Sequence, residues 1–218
     1  MLRYACLVLD HDDTVVRSEA TVNYPAFLEV LATLRPGRTL TQEEFTRWCS
    51  GRGYTAMCTE HFGFSPEEME LQYQQWKAYV MTHIPPCFDG FPALLRRYRQ
   101  AGGIICVSSH SAVENITRDY QQHFQMLPDQ IYSWDLPAEQ RKPAPFALLD
   151  IMQRYQLGKE DLLMVDDLQT GYQMAHACGV DFACAAWEPR PADIADFLQQ
   201  HSTYYLTQIA QLESVLFR

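Results

Sequence analysis

The sequence has no concentrated basic segment. Of its 218 residues, 17 are Lys or Arg and 27 are Asp or Glu, so the formal net charge is -10. The densest basic group, Arg96, Arg97 and Arg99, has the spacing of a solvated helix face. Nucleic acids and anionic membranes bind to strongly basic surfaces. The composition therefore argues against either partner.

The sequence also has no apolar run near the roughly 20 residues that a membrane-spanning helix needs. Its seven cysteines are odd in number and show no CxxC spacing, so they predict neither a zinc site nor a disulfide framework. Most of them lie in apolar runs, as expected in a reducing compartment. Because the first predicted strand begins almost at Met1, we expect no leader segment and a cytoplasmic protein.

The first apolar run ends abruptly at a group of carboxylates. Leu7 to Leu9 have the composition of a buried strand, and Asp10, Asp12 and Asp13 follow. Open α/β sheets bind ligands at the carboxyl ends of their strands. Carboxylates this close repel one another unless a cation lies among them. We therefore expect Asp10 and Asp12 to share a divalent metal, with one of them acting covalently.

Residues 17–85 have helical periodicity throughout. Capping boxes at Thr41–Glu44 and Ser65–Glu68 open two helices, and glycines at 51 and 53 interrupt the pattern. The sequence predicts an inserted helical cap domain at 17–85, and a catalytic core domain made of 1–16 and 86–218.

The second half alternates between apolar strands and helices. Strands are predicted at 104–107, 131–134, 162–165, 182–186 and 204–206, and a capping box at Ser111 and Glu114 is predicted to open the helix after the second strand. This alternation indicates an α/β fold with a Rossmann-like, mainly parallel sheet that carries helices on both faces.

Polar residues follow several of these strands or lie in nearby loops. Because parallel strands end at one sheet edge, residues distant in sequence converge there. Carboxylates that hold Mg²⁺, a lysine and a hydroxyl that bind phosphate oxygens, and a carboxylate that attacks phosphorus together indicate phosphoryl transfer. The candidate residues are Asp10, Asp12, Ser108, Lys142, Asp166 and Asp167.

Four ordered motifs resemble the signature of the haloacid dehalogenase superfamily: Asp-x-Asp-x-Thr from Asp10, a serine after strand two, Lys-Pro-x-Pro from Lys142, and the later acidic pair. Residues 88–91 resemble the segment that re-enters the core after a helical cap. Residues 166–171 and 177–180 resemble the branch that includes β-phosphoglucomutase and sugar-phosphate phosphatases.

The resemblance implies a role for each motif residue. Asp10 would form an aspartyl-phosphate and bind Mg²⁺, while Asp12 would transfer the proton and place its backbone carbonyl on the metal. Ser108 would hold phosphoryl oxygens, although neighbouring Ser109 competes for that role. Lys142 would neutralise negative charge between Asp10 and the phosphate. The metal would also be bound by Asp167 directly and by Asp166 directly or through water.

Two positions depart from the family pattern, and three residues are candidates for substrate contact. Asp13 stands where the family usually has Gly, and Phe146 stands where an acidic residue is common. Arg52, between the two cap glycines, and His110 are candidate substrate-binding residues alongside Ser109; a flexible surface Arg and a plain loop His are the competing interpretations.

We expect a Mg²⁺-dependent phosphatase that acts on a small phosphorylated metabolite, as a monomer or weak homodimer. A mutase of the β-phosphoglucomutase type uses the same core. A phosphoacceptor or phosphometabolite-binding module without turnover is an alternative from another class. Dehalogenation is disfavoured, because family members that catalyse it lack the second aspartate, present here as Asp12.

Overall fold

The computed structural model describes residues 1–217. Within them, six strands form one sheet in the order β3-β2-β1-β4-β5-β6, and every neighbouring pair is parallel. This confirms the predicted Rossmann-like α/β fold. The strands are β1 (Cys6–Leu9), β2 (Ile104–Ser108), β3 (Gln130–Tyr132), β4 (Leu162–Asp166), β5 (Asp181–Ala185) and β6 (Tyr204–Leu206).

Ten α-helices accompany the sheet within the same described range. They are α1 (Tyr24–Leu34), α2 (Gln42–Ser50), α3 (Tyr54–Ala56), α4 (Pro66–Thr82), α5 (Phe91–Gln100), α6 (Val113–Phe124), α7 (Phe146–Tyr155), α8 (Gln169–Cys178), α9 (Ala192–His201) and α10 (Ile209–Leu216). Short π-helical segments precede α1 at Glu19–Asn23 and follow α3 at Met57–His61.

The strands are buried on both faces of the sheet. Successive side chains of β1 point to opposite faces, so Leu7 and Leu9 pack with α5, α6 and α10, whereas Cys6 and Val8 pack with α7, α8 and α9. The result is a three-layer arrangement of helices, sheet and helices.

The chain between β1 and β2 first forms α1 to α4, which surround a hydrophobic cluster of their own that includes Phe27, Phe45 and Phe62. The capping boxes predicted at Thr41 and Ser65 are both present: each side chain accepts a hydrogen bond from the backbone N–H three residues later. We call residues 19–82 the helical insertion.

The predicted capping box at Ser111 and Glu114 is wrong. Helix α6 begins at Val113, after Ala112, and no side chain of the N-cap residue accepts a bond there. Asp135, in the loop after β3, instead accepts a hydrogen bond from the Val113 backbone N–H at 2.8 Å. A carboxylate from a neighbouring loop thus accepts the hydrogen bond of a backbone N–H at the N-terminus of this helix.

The strand order reverses between β1 and β4, where open α/β sheets form their ligand crevice. Leu9 lies opposite Val107 on one side and Val165 on the other. The next residue, Asp10, donates its backbone N–H to the Val165 carbonyl at 2.8 Å. The sheet register therefore brings the Asp10 backbone beside that of Asp166.

Among the described residues, no helix combines the length and the apolar character needed to cross a bilayer.

Candidate active site

Lys142 joins two carboxylates at the ends of neighbouring strands. Its Nζ lies 2.7 Å from Asp10 Oδ1 and 2.5 Å from Asp166 Oδ2. All three side chains are at least 95% buried. Burial alone lowers the pKa of Lys142, but the charges of Asp10 and Asp166 outweigh it and raise that pKa above its usual range. Lys142 is therefore a fixed positive charge beside Asp10.

Arg190 is a second buried cation at the site. Its Nη2 donates to Asp13 Oδ2 at 3.0 Å and to Asp167 Oδ2, and its Nη1 lies 3.4 Å from Glu19 Oε2. The other Asp167 oxygen accepts a 3.4 Å hydrogen bond from the Thr14 hydroxyl. Asp167 is thus held by the loop after β1 and by the loop between β5 and α9.

The acids form a compact set of oxygen ligands. Among the described residues, Asp10, Asp166 and Asp167 each offer a carboxylate oxygen, and these atoms lie within 4.8 Å of one another. Burial raises the pKa of Asp166 and of Asp167, and the charge of Asp10 adds to the effect, while Lys142 and Arg190 oppose it. Buried carboxylates that still repel one another fit a hard divalent cation such as Mg²⁺.

Asp12 faces a cleft between the sheet and the helical insertion. The walls of the cleft include Asn23, Trp76 and Val80 from the insertion and Asn115 from α6. Burial is the main cause that raises the pKa of Asp12. Its side chain is not part of the compact oxygen set of Asp10, Asp166 and Asp167.

Ser108 and Ser109 are both buried at the end of β2. Ser108 follows Val107, the partner of Leu9, so it ends its strand beside Asp10. Its hydroxyl lies 4.0 Å from the Met174 sulfur. The Ser109 hydroxyl accepts a 3.2 Å hydrogen bond from the Ser111 backbone N–H, which makes Ser109 a loop-forming residue.

The first turn of α8 packs directly against Asp166. The Leu168 backbone N–H donates to Asp166 Oδ1 at 2.8 Å. A Cβ atom at Gly171 would overlap the Asp166 carboxylate, so only glycine permits this approach. Helix α8 therefore fixes the orientation of Asp166.

The sequence matches the model of one known family. The sequence model of the family "Haloacid dehalogenase-like hydrolase" matches residues 7–185, which include every residue of the compact oxygen set and Lys142. The chain belongs to the haloacid dehalogenase-like hydrolases. The recognition and the enzyme class expected from the four motifs are confirmed. A comparison with curated proteins finds no match.

Solved structures of other haloacid dehalogenase-like proteins share the fold. A predicted phosphoglycolate phosphatase from Haemophilus somnus superposes with a TM-score of 0.83 at 15% identity, covering 99% of both chains. CbbY from Rhodobacter sphaeroides, in complex with phosphate, gives 0.72 at 17% identity over 97% of this chain and 96% of its own. A hydrolase from Deinococcus radiodurans with bound phosphate and sodium gives 0.76 at 20% identity, covering 98% of each.

Arg52 and His110 have partners other than the compact oxygen set. Arg52 is exposed and pairs with Glu60 at 2.5 Å, within the helical insertion. His110 donates from Nε2 to the Lys142 backbone carbonyl at 3.0 Å, so it supports the loop that carries the lysine. Substrate contact by Arg52, His110 and Ser109 stays a prediction.

A chain of hydrogen bonds links the loop after β1 of this hydrolase to the helical insertion. His11 Nε2 lies 3.0 Å from Asp119 Oδ2, and Arg118 donates to the other Asp119 oxygen at 2.7 Å. Arg118 also donates to the Val80 carbonyl at 2.6 Å, near the end of α4. The loop between Asp10 and Asp12 is therefore connected to the insertion through α6.

Arg190 is not among the site residues predicted from the sequence. The residue lies in no family motif, but it follows the fifth strand, which was predicted. The rule that carboxyl ends of parallel strands share one edge would have placed this loop beside the acids. Arg190 also lies between Pro189 and Pro191, and proline restricts the backbone of a short loop. This pattern is a second sequence signal that the loop has a defined conformation.

Proposed function

We propose that this protein is a Mg²⁺-dependent phosphatase that hydrolyses a small phosphate monoester through an aspartyl-phosphate at Asp10. The observation that carries the proposal is the bond from Lys142 Nζ to Asp10 Oδ1 at 2.7 Å, within a buried carboxylate set. A fixed carboxylate beside a permanent positive charge suits attack on an anionic phosphoryl group.

The reaction takes place in two displacements. An Asp10 oxygen bonds to phosphorus as the ester oxygen leaves, and Asp12 donates a proton to that oxygen. Asp12 then accepts a proton from water, whose oxygen attacks phosphorus and releases Asp10 and inorganic phosphate. Positioning the nucleophile within the protein removes much of the entropic cost of the first step.

Asp12 suits the acid–base role because burial raises its pKa. A raised pKa keeps more of the carboxyl protonated near neutral pH, as a general acid requires. Asp12 also lines the cleft where a leaving group would lie. Lys142, with Ser108 at the adjacent strand end, would contact the phosphoryl oxygens.

The metal would be held by the side chains of Asp10, Asp166 and Asp167 and by the Asp12 backbone carbonyl. When bound, Mg²⁺ neutralises charge on the phosphate oxygens. The fit rests on three buried carboxylate oxygens that lie within 4.8 Å of one another. Burial and the charge of Asp10 raise the pKa of Asp166 and of Asp167, and a divalent cation would oppose that effect.

The cleft beside Asp12 lies between the sheet and the helical insertion, a position that favours a small substrate. The helical insertion would act as the cap that covers it and excludes water. Since the similar solved structures include a phosphoglycolate phosphatase and proteins with bound phosphate, small phosphorylated acids and sugars are the first candidates.

The test is a screen of phosphate esters with and without Mg²⁺, with release of inorganic phosphate as the readout. At least one small ester should be hydrolysed only with the metal, and Asp10→Asn should lower the rate more than about a thousandfold. Asp89→Asn, a change at an exposed carboxylate after β1 and the insertion, is the matched control and should leave the rate unchanged.

Two outcomes would contradict the proposal: no hydrolysis of any ester, or equal rates for Asp10→Asn and the unmodified protein. Sugar phosphates in the same screen are also assayed for isomerisation, because isomerisation without phosphate release would identify a mutase instead.

A further inference from the structure

Arg190 occupies an unusual place for a side chain outside the family motifs. Only 7% of the side chain is exposed, and its guanidinium contacts Asp13, Glu19 and Asp167. Within the described residues its Nε finds no hydrogen-bond partner, although it is buried. A buried guanidinium with three acidic neighbours is held by charge.

Asp167 belongs to the proposed metal site and also accepts a hydrogen bond from Arg190. Arg190 and Thr14 each donate to one of its two oxygens. Lys142 meanwhile pairs with Asp10 and Asp166. Each acid of the compact oxygen set thus already has a cationic side chain as a partner.

We infer that Arg190 is an internal cation that competes with Mg²⁺ for Asp167, and that Asp13 and Glu19 hold it beside the site. The inference rests on the proposed metal site. It makes Arg190 a positioning residue that sets how tightly the site binds Mg²⁺, with no contact to the substrate required.

Asp13 has the geometry of an anchor for this arginine. Its φ of 54° lies in the left-handed region that favours glycine, and glycine is the residue that the family resemblance implies there. Aspartate tolerates this backbone better than most residues. Its carboxylate accepts from Arg190 at 3.0 Å and from the Glu19 backbone N–H at 3.1 Å.

The bond between Asp13 and Arg190 has a direct consequence for Mg²⁺ binding. Mg²⁺ bound to Asp167 Oδ2 would share that oxygen with Arg190 or displace it, while Asp13 and Glu19 still hold the guanidinium nearby. Its positive charge then repels the bound cation, and the repulsion is strong because the site is buried. Removing the charge should tighten Mg²⁺ binding.

The experiment measures Mg²⁺ binding by the purified full-length protein, by isothermal titration calorimetry without any ester. Arg190→Gln should lower the Mg²⁺ dissociation constant on the order of tenfold. Arg47→Gln is the matched control: Arg47 is a half-exposed arginine that pairs with Asp193, just beyond the same loop, and its loss should leave the constant unchanged.

Thermal unfolding gives a second, independent readout. Without Mg²⁺, Arg190→Gln should unfold at a lower temperature, because buried Asp13 and Asp167 lose their partner. Saturating Mg²⁺ should then raise the unfolding temperature of this variant more than that of the unmodified protein. If Arg190→Gln does not fold, Arg190→Lys, which keeps the charge but cannot bridge both acids, should still lower the Mg²⁺ dissociation constant, by less than tenfold.

An unchanged or raised dissociation constant in the Arg190 variant would overturn the inference, because it would mean that the arginine is neutral to metal binding or helps it. Because the measurement contains no substrate, its result is separate from that of the ester screen. A protein without phosphatase activity but with tighter Mg²⁺ binding in Arg190→Gln would reject the proposed function alone.

Discussion

Lys142 and Arg190 each hold two or more carboxylates of one buried site. Lys142 bridges Asp10 and Asp166, and Arg190 bridges Asp13 and Asp167. Transferring such charges out of water is costly, and the cost is offset only while every charge keeps its partner. The stability of the site therefore depends on these single residues.

Replacing Lys142 tests this dependence. Lys142→Met keeps the length of the side chain but leaves Asp10 and Asp166 without their cation, so the free energy of unfolding without metal should fall by about 3 kcal/mol. Urea denaturation measures the change. Arg154→Met, which removes an exposed pair with Asp150, should leave the free energy almost unchanged. Equal effects of the two substitutions would contradict this view of Lys142.

Among the elements, α8 is the one most tightly coupled to the chemistry. It begins at Gln169, three residues after Asp166. The preceding Leu168 donates its backbone N–H to Asp166, and Gly171 in the first turn packs on the same side chain. A glycine inside a helix normally costs about 1 kcal/mol relative to alanine. Here glycine is required despite that cost, because only glycine lets α8 approach the Asp166 carboxylate this closely.

Gly171→Ala should therefore be harmful despite the better helix propensity of alanine. The added methyl group must displace Asp166 or the helix, at a cost of about 1–3 kcal/mol, and ester hydrolysis should fall with it. Gln173→Ala, at an exposed position of the same helix, is the control and should leave both stability and rate unchanged. A Gly171→Ala protein with full stability and activity would show that Asp166 is not held by α8.

The strand ends were predictable because two signals agreed at each of them. At Leu7 to Asp10 and at Leu162 to Asp166, a continuous apolar run, typical of a strand buried on both faces, stops at an acid. Local signals also predicted the Thr41 and Ser65 capping boxes, since donor and acceptor lie within three residues of each other.

Contacts between distant loops were not predictable in the same way. Asp135 replaces the expected cap of α6 from 22 residues away, and Arg190 reaches Asp13 across 177 residues. Nothing in the local sequence of either partner encodes such a pair. Both depend on which loops the sheet order brings to one edge.

For the whole molecule, the buried acids link stability to pH and to metal. Burial and mutual repulsion raise the pKa values of Asp166 and Asp167 above those in the unfolded chain, near 3.9. The folded protein thus binds more protons than the unfolded chain between the two values. The stabilisation that these two acids contribute is complete below about pH 4 and is lost as the pH rises through their folded pKa values.

Metal-free protein should accordingly unfold at a lower temperature at about pH 8 than at about pH 6, because more of these acids are ionised and repel one another. Scanning calorimetry with a chelator measures the difference. Saturating Mg²⁺ should reduce it, since the cation stabilises the ionised carboxylates. Asp167→Asn, which removes one of the titrating acids, should flatten the dependence without metal. A metal-free unfolding temperature that rises over this range would contradict the assignment.

In the proposed mechanism, Asp10 carries the phosphoryl group during turnover. The most direct measurement is acid quenching during turnover of an active ester with Mg²⁺, followed by mass spectrometry of the peptide that contains Asp10. We predict one added phosphoryl group on that peptide, absent without ester and absent in Asp10→Asn. Steady turnover with no phosphoryl group on Asp10, or with the group on another residue, would contradict the account.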